Sequence, residues 1–349
     1  MRRGQSWRAR GLALVLLAAG AACTPAAPAT PAPSVARVPD ATAVAGTPAP
    51  AATAATPPMA AAPETSPNPR GAAPTSATSA AATEEAVVLV GAGDIADCDS
   101  DGAQRTAALL EEIAGTVFTL GDNAYPAGSS EEYQRCYAPT WGRFKARTRP
   151  AVGNHEYVTP GAAGYFAYFG AAAGDPATGY YSYDLGAWHV IVLNGNCSEV
   201  GGCGAGSAQQ QWLAADLAAH PVVCTLAYWH QPRFSSGPHA SDGAYRPFWQ
   251  TLYDAGADVV LNGHDHIYER FLPQTPGGLL DTARGLRQFT VGTGGASQYG
   301  IAFPLATSEV RNGQVYGVLK LTLHPRGYDW EFVPVAGESF TDSGSDHCH

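Results

Sequence analysis

Two kinds of apolar pattern alternate along the chain. Short apolar runs bounded by Gly and Asp turns, Ala86–Val90, Thr116–Leu120 and Asp258–Leu261, read as buried strands. Arg149–Val152 leads in the same way into Gly-Asn-His-Glu, and Val222–Tyr228 runs into Trp-His. Between them, Gly102–Ala114, Ser129–Phe144, Ser207–Ala219 and Ala244–Ala255 carry helical spacing. Tyr180–Leu185 and Trp188–Asn194 read as two paired strands. Arg287–Val291, Gln314–Leu323 and Tyr328–Val333 are late strands. Early elements alternate strand and helix, and later ones are mostly strands. This predicts an α/β fold with two stacked mixed β-sheets flanked by helices, one domain over residues 86–335, followed by a C-terminal tail, 336–349.

The first 85 residues have a different texture. Arginines come first, then an apolar run from Leu12 to Ala19, then small residues to Cys23, as in an export signal over residues 1–22. The run is too short for a permanent membrane span. Cleavage near Ala21 or Ala22 competes with a lipobox-like Gly20-Ala21-Ala22-Cys23 that would place a lipid on Cys23. Residues 24–83 hold 13 of the 27 prolines and no aromatic side chain. A segment with that composition cannot bury a core, so residues 23–85 are predicted to be a disordered Ala/Pro/Thr-rich tether.

Cysteine arithmetic supports export. Seven cysteines leave six once Cys23 is set aside, and six in an exported chain invite three disulfides. Cys197 and Cys203 share one glycine-rich loop and form the expected pair; Cys98 with Cys136 and Cys224 with Cys348 is one of the three ways to pair the four that remain, and the one expected here.

Charge narrows the partners. From Glu84 onward there are 14 basic and 28 acidic residues, a net of −14. Such a surface repels a phosphate backbone and excludes nucleic-acid binding through a basic patch. An anionic substrate must be held by something locally positive, which a metal site supplies. Membrane contact is expected only through a lipid on Cys23.

Five polar clusters share one context, each at the exit of a short apolar strand. They are Gly93-Asp94-Ile95-Ala96, Gly121-Asp122-Asn123-Ala124-Tyr125, Gly153-Asn154-His155-Glu156, Tyr228-Trp229-His230 and Gly263-His264-Asp265-His266. In α/β sheets ligands gather beyond the carboxyl ends of the strands. Carboxylates, a phenol, an amide and imidazoles together suit iron, zinc or manganese.

These blocks, in this order, resemble the purple acid phosphatases among the calcineurin-like metallophosphoesterases. Tyr125 carries the distinction: Ala96 stands where most relatives have a histidine, and a tyrosine follows Asp122 instead. Ile267-Tyr268-Glu269-Arg270 also resembles that branch. The resemblance covers about residues 86–335 and implies an α/β/β/α sandwich. It implies that Asp94, Asp122, Tyr125 and His266 hold Fe(III). Asp122, Asn154, His230 and His264 would hold a divalent Fe, Zn or Mn, with Asp122 bridging. It further implies a phosphorylated small-molecule substrate, hydrolysed as a phosphate monoester by a metal-bound hydroxide. A phosphodiesterase or nucleotidase using the same site is the alternative. His155 and His239 are the candidates for protonating the leaving group, and Arg233 for touching a phosphate oxygen. Two departures stand out. The tether cannot form the β-sandwich domain that precedes the catalytic domain in many plant relatives, and Asp265 sits between two metal histidines where apolar residues are common.

Other readings are weaker. Gly91-Ala92-Gly93-Asp94-Ile95-Ala96 matches a dinucleotide fingerprint, but Asp97, Asp99 and Asp101 would crowd negative charge where a pyrophosphate should sit. No Gly-x-Ser-x-Gly elbow occurs, so a serine hydrolase has no nucleophile motif. His189 reads as a packed strand residue, His220 as a helix-end residue, and His324, His347 and His349 as surface residues.

Overall fold

A computed structural model of the chain describes residues 85–349. The predicted export signal, Cys23 and all but the last residue of the predicted tether lie outside the described residues. In chain order the elements are β1 (Val87–Ala92), α1 (Gly102–Glu112), β2 (Thr116–Leu120), α2 (Ser130–Glu132), β3 (Thr148–Ala151) and α3 (Ala163–Phe169). Next come β4 (Tyr181–Leu185), β5 (Trp188–Val192), α4 (Ala208–Ala219), β6 (Cys224–Tyr228), α5 (Arg246–Asp254), β7 (Val259–Asn262) and β8 (Tyr268–Phe271). The chain ends with β9 (Arg287–Val291), β10 (Ser308–Asn312), β11 (Gly317–His324), β12 (Gly327–Pro334) and β13 (Asp342–His347).

The strands form two mixed sheets. The first has the order β13-β12-β11-β1-β2-β3, with β1, β2 and β3 parallel. The second has the order β10-β8-β9-β7-β6-β5-β4, with β5, β6, β7 and β9 parallel and an antiparallel partner on each side. The second sheet shows why its strands read as continuous apolar runs. Val190, Val192, Leu226, Tyr228, Val259 and Leu261 pack between the sheets with Leu89 and Phe118 of the first. Their alternate neighbours Ile191, Ala227 and Val260 pack on the other face, against Leu213 of α4 and Phe248, Trp249 and Leu252 of α5. Successive side chains of a strand point to opposite faces, and here both faces are covered. On the far side of the first sheet α1 buries Ala103, Ala107 and Leu110. The layers are helix, sheet, sheet, helix, as predicted.

Several elements differ from expectation, among them the unpredicted short helix α3. The predicted helix Ser129–Phe144 is broken. Ser129 and Glu132 close a capping box on α2, a single wide turn covers Tyr133–Tyr137, and a separate 3-10 segment runs over Trp141–Arg147. Pro139, which has no backbone N–H to donate, stands in the break. β8 and β10 pair with each other, and β8 hides in a segment read for its motif. The sheet also continues past residue 335, because β13 pairs in register with β12 inside the predicted tail. Cys348 immediately after β13 is bonded to Cys224, and Cys98–Cys136 and Cys197–Cys203 complete the three disulfides.

Candidate metal centre

Five loops reach one place, and each leaves the carboxyl end of a strand. β1 delivers Asp94, β2 delivers Asp122 and Tyr125, and β3 delivers Asn154 and His155. β6 and β7 of the other sheet deliver His230, then His264 and His266. The loops after β1 and β2 extend their ladder past the strands: Ile95 N–H donates to Asp122 O at 2.9 Å and Tyr125 N–H to Ala96 O at 2.9 Å. The two sheets are stitched at the same level, where Gly93 N–H donates to Val291 O at 2.8 Å.

Local backbone geometry is unusual at the site. Asp94, Asp122 and His264 hold φ of 60°, 48° and 71°, in the left-handed region that non-glycine residues avoid. Such conformations cost on the order of 1–3 kcal/mol each and persist where surrounding structure over-determines them. Gly153 is required beside them, because a Cβ there would overlap the Asp122 carboxylate.

The side chains fall into two overlapping groups. In the first, the Tyr125 hydroxyl lies 3.0 Å from Asp94 Oδ1, 3.2 Å from Asp122 Oδ2 and 3.1 Å from His266 Nε2. In the second, His230 Nε2 lies 3.1 Å from Asp122 Oδ2 and 3.2 Å from His264 Nδ1. Asp122 belongs to both. Asn154 follows directly on Gly153, and its Oδ1 is buried with no hydrogen-bond partner among the described residues. A buried, unpartnered carbonyl oxygen among carboxylates and imidazoles is what a cation would satisfy.

The histidines are oriented from behind. His230 Nδ1–H donates to Leu120 O at 2.7 Å, and His266 Nδ1–H donates to Ser297 O. Each bond leaves Nε2 facing the centre, where a metal-ligating histidine would present its lone pair. Electrostatics agree with this donor set. Burial alone would lower His230, but the Asp122 carboxylate outweighs it and pushes the imidazole up to about 9. Burial, with His230 and His239 nearby, pushes His264 down to about 3. Burial would raise Asp122, yet His230 and His155 hold it well below the usual carboxylate range. Burial, followed by the Asp122 and Asp94 charges, drives the Tyr125 phenol well above its ordinary value. A proton on His230 thus stands where positive charge is wanted, and the residues fit a pair of cations.

Glu156 has a structural part that its place in the fourth-residue position of Gly-Asn-His-Glu signalled without specifying. Its buried carboxylate accepts from the backbone N–H of Gly153 at 2.7 Å, Asp122 at 3.0 Å, Asn123 at 2.7 Å and Ala124 at 3.3 Å. It also accepts from Tyr133 OH at 3.1 Å. Glu156 therefore ties the loop after β2 to the loop after β3. Ser297 O and Tyr299 are further neighbours that nothing in the sequence marked. The Tyr299 ring stacks on His266 at 3.9 Å between centroids.

The candidate proton donors differ in placement. His155 Nδ1–H donates to Pro126 O at 2.7 Å, and its Nε2 lies 3.8 Å from Asp122 Oδ2. The His239 ring lies over His264, 4.2 Å between centroids, with its Nδ1 2.8 Å from Asp265 Oδ1. Arg233 is not brought to the cluster: its guanidinium lies over the Phe234 ring, 4.4 Å from the centroid, and donates to Asp242 O at 3.4 Å. A second His/Asp group, His189 with Asp216 and His220, satisfies itself: His189 meets Asp184 Oδ1 and Asp216 Oδ2 at 2.8 Å each.

Comparison with known proteins places this geometry. The profile of the calcineurin-like phosphoesterases matches residues 87–268. Purple acid phosphatase 15 of Arabidopsis thaliana is 30% identical over 199 residues, 46% of this chain and 37% of that protein. An uncharacterised protein of Mycobacterium tuberculosis is 27% identical over 270 residues, 61% of this chain and 51% of that protein. The chain thus matches about half, or less, of the length of these curated relatives. Among solved structures, a purple acid phosphatase from yellow lupin seeds superposes with a TM-score of 0.60 at 18% identity, covering 75% of this chain and 54% of that one. A dimetal phosphatase from Danio rerio superposes with a TM-score of 0.51 at 13% identity, covering 73% of this chain and 98% of that one. The five strand-exit loops that build the cluster lie within the matched span, and the chain belongs to the calcineurin-like phosphoesterase family.

Proposed function

We propose that the chain is an exported phosphoesterase that holds two metal ions and hydrolyses phosphate monoesters. The observation that carries this reading is the shared carboxylate of Asp122, which lies between two groups of converging donors. Asp94, Asp122, Tyr125 and His266 would hold Fe(III), because a phenolate and two carboxylates are hard anionic donors. Asp122, Asn154, His230 and His264 would hold a divalent Fe, Zn or Mn, since Asn154 adds no charge. When bound, the two ions supply positive charge that polarises the phosphoester and acidifies water.

The chain's own groups supply the rest. The leaving alcohol needs a proton. His239 stands beside His264 at the open side of the cluster, with 43% of its side chain exposed, and is the donor we assign. His155, anchored through Nδ1 on Pro126 O, presents Nε2 toward the Asp122 side and can hold a second proton there. The imidazoles and the ions together would offset the phosphate charge on a strongly acidic domain. Export is supported by the three disulfides, which form in oxidising compartments.

The test compares a monoester and a diester of one leaving group on purified, metal-loaded protein. The reading expects the higher rate on the monoester. A diester rate well above it would move the assignment to a phosphodiesterase. Failure to hydrolyse any phosphoester would contradict both.

A further inference from the structure

Asp265 interrupts the pair His264 and His266 with a charged side chain, and that side chain is fully buried. Each of its oxygens has partners in one loop. Oδ1 accepts from His239 N–H at 3.1 Å and lies 2.8 Å from His239 Nδ1. Oδ2 accepts from Ser235 Oγ–H, and Ser235 Oγ in turn accepts from Gly237 N–H at 3.0 Å. A Cβ on Gly237 would collide with the carboxylate, so the loop closes directly over it.

The loop has other anchors. Ser236 N–H donates to Glu269 Oε2 at 2.9 Å, and Ser236 O accepts from Ala302 N–H at 2.8 Å and Phe303 N–H at 2.9 Å. Leu305 N–H donates to Ser236 Oγ at 3.0 Å. At Ser236 the loop is therefore held without Asp265. The His239 ring is not: apart from aromatic neighbours His264 and Tyr299, its recorded polar contact is Asp265. An acceptor at Nδ1 selects the tautomer with hydrogen on that atom and leaves Nε2 as the exchangeable one.

We infer that Asp265 is the positioning residue for His239, holding Nδ1–H so that Nε2 faces the leaving group. The inference rests on the proposed phosphoesterase reading for its functional part. In the step concerned, the bond from phosphorus to the ester oxygen breaks and a bond to a water oxygen forms. The proton on Nε2 goes to the departing alcohol oxygen, and the ring returns to its neutral Nδ1–H form. The proton released by the attacking water restores the protonated ring.

Two near-isosteric replacements separate positioning from packing. Asp265→Asn keeps an oxygen for His239 Nδ1–H, because the His239 N–H also directs that oxygen toward it. Asp265→Leu fills the space and accepts nothing. Both are compared with wild type as the full chain loaded with Zn(II), with metal content and thermal unfolding measured alongside. The first readout is the ¹⁵N–¹H correlation spectrum of the imidazole rings, with His239 assigned by its disappearance in His239→Ala. Wild type and Asp265→Asn should show the Nδ1–H form, and Asp265→Leu should lose it. The second readout is kcat on an alkyl phosphate against an aryl phosphate with a good leaving group. Asp265→Leu should lose roughly tenfold to a hundredfold on the alkyl ester and little on the aryl ester, with KM nearly unchanged. Asp265→Asn should stay within about threefold of wild type on both.

A wild-type His239 ring that carries hydrogen on Nε2 and none on Nδ1 would overturn the inference. So would an Asp265→Leu variant that loses turnover equally on both esters, or that loses none. A chain with no phosphoesterase activity whose His239 tautomer still depends on position 265 would refute the functional reading and support the positioning.

Discussion

Asn154 is the one amide in the donor set, and its buried Oδ1 has no hydrogen-bond partner among the described residues. Asn154→Ala should therefore empty the divalent side while sparing the ferric side, where Asn154 plays no part. The expected result is at least about a tenfold loss of affinity for the second ion, with the first retained, measured as metal content after dialysis. Equal loss of both ions would contradict the assignment. His230 adds a pH dependence. Its imidazole, raised to about 9 by Asp122 against burial, carries a proton at neutral pH when no metal competes. A raised value means a more tightly held proton, so divalent binding must displace it. Affinity for the divalent ion should rise by about tenfold per pH unit between pH 7 and 9, as one proton is released. Chelator competition across that range reads it directly, and a flat profile would exclude His230 as the proton-bearing ligand. Individual ligands were legible in the sequence because each sits directly at a strand exit behind a short apolar run. What holds them was less so: four of the five donors to Glu156 and the acceptors of His230 and His266 are backbone atoms, which carry no residue signature.

The strand-exit loops act as linked elements. Glu156 joins two of them through four backbone N–H groups, and replacing it by Ala would leave buried donors unpaired. Each such donor costs about 1–3 kcal/mol, so Glu156→Ala should destabilise the domain by about 3 kcal/mol or more. The measurement is chemical denaturation of the metal-free chain. A loss under about 1 kcal/mol would mean that water replaces the carboxylate. At the other end of the domain, Cys224–Cys348 closes a loop with a sequence separation of 124 around the last part of the chain. On the chain-entropy account such a bond contributes about 5 kcal/mol, and its removal should first release β13. Hydrogen exchange of Ser343–Asp346 in Cys348→Ser should speed up before that of β11. Protection unchanged in β13 would show that pairing with β12 suffices. β13 was missed because Asp-Ser-Gly-Ser-Asp-His has neither apolar alternation nor β-branched residues. Its state is set by register with β12, a long-range choice that local propensity does not record. The segment Ser129–Phe144 failed for the opposite reason: its helical spacing is real, but Pro139 and the close-packed Tyr133, Tyr137 and Tyr168 rings divide it into turns.

At the scale of the molecule, the centre exists only where the two sheets meet. β1, β2 and β3 bring carboxylates, the phenol and the amide, and β6 and β7 bring imidazoles, so neither sheet holds a complete set. Layer order was legible because parallel strands buried on both faces read as unbroken apolar runs between helical patterns. The path of the 235–241 loop, which carries His239 and wraps Asp265, was not, since it is set by anchors far apart in sequence. The acidity of the domain is consistent with cations at its core, which concentrate positive charge where side chains provide little. The central claim is that Tyr125 belongs to an Fe(III) site within a two-metal centre. The most direct measurement is the visible absorption spectrum of the oxidised, metal-loaded chain beside Tyr125→Phe at equal iron content. The account predicts a purple tyrosinate-to-iron charge-transfer band in the wild type that vanishes in the variant. A colourless wild type with full metal occupancy, or a band that survives Tyr125→Phe, would contradict it.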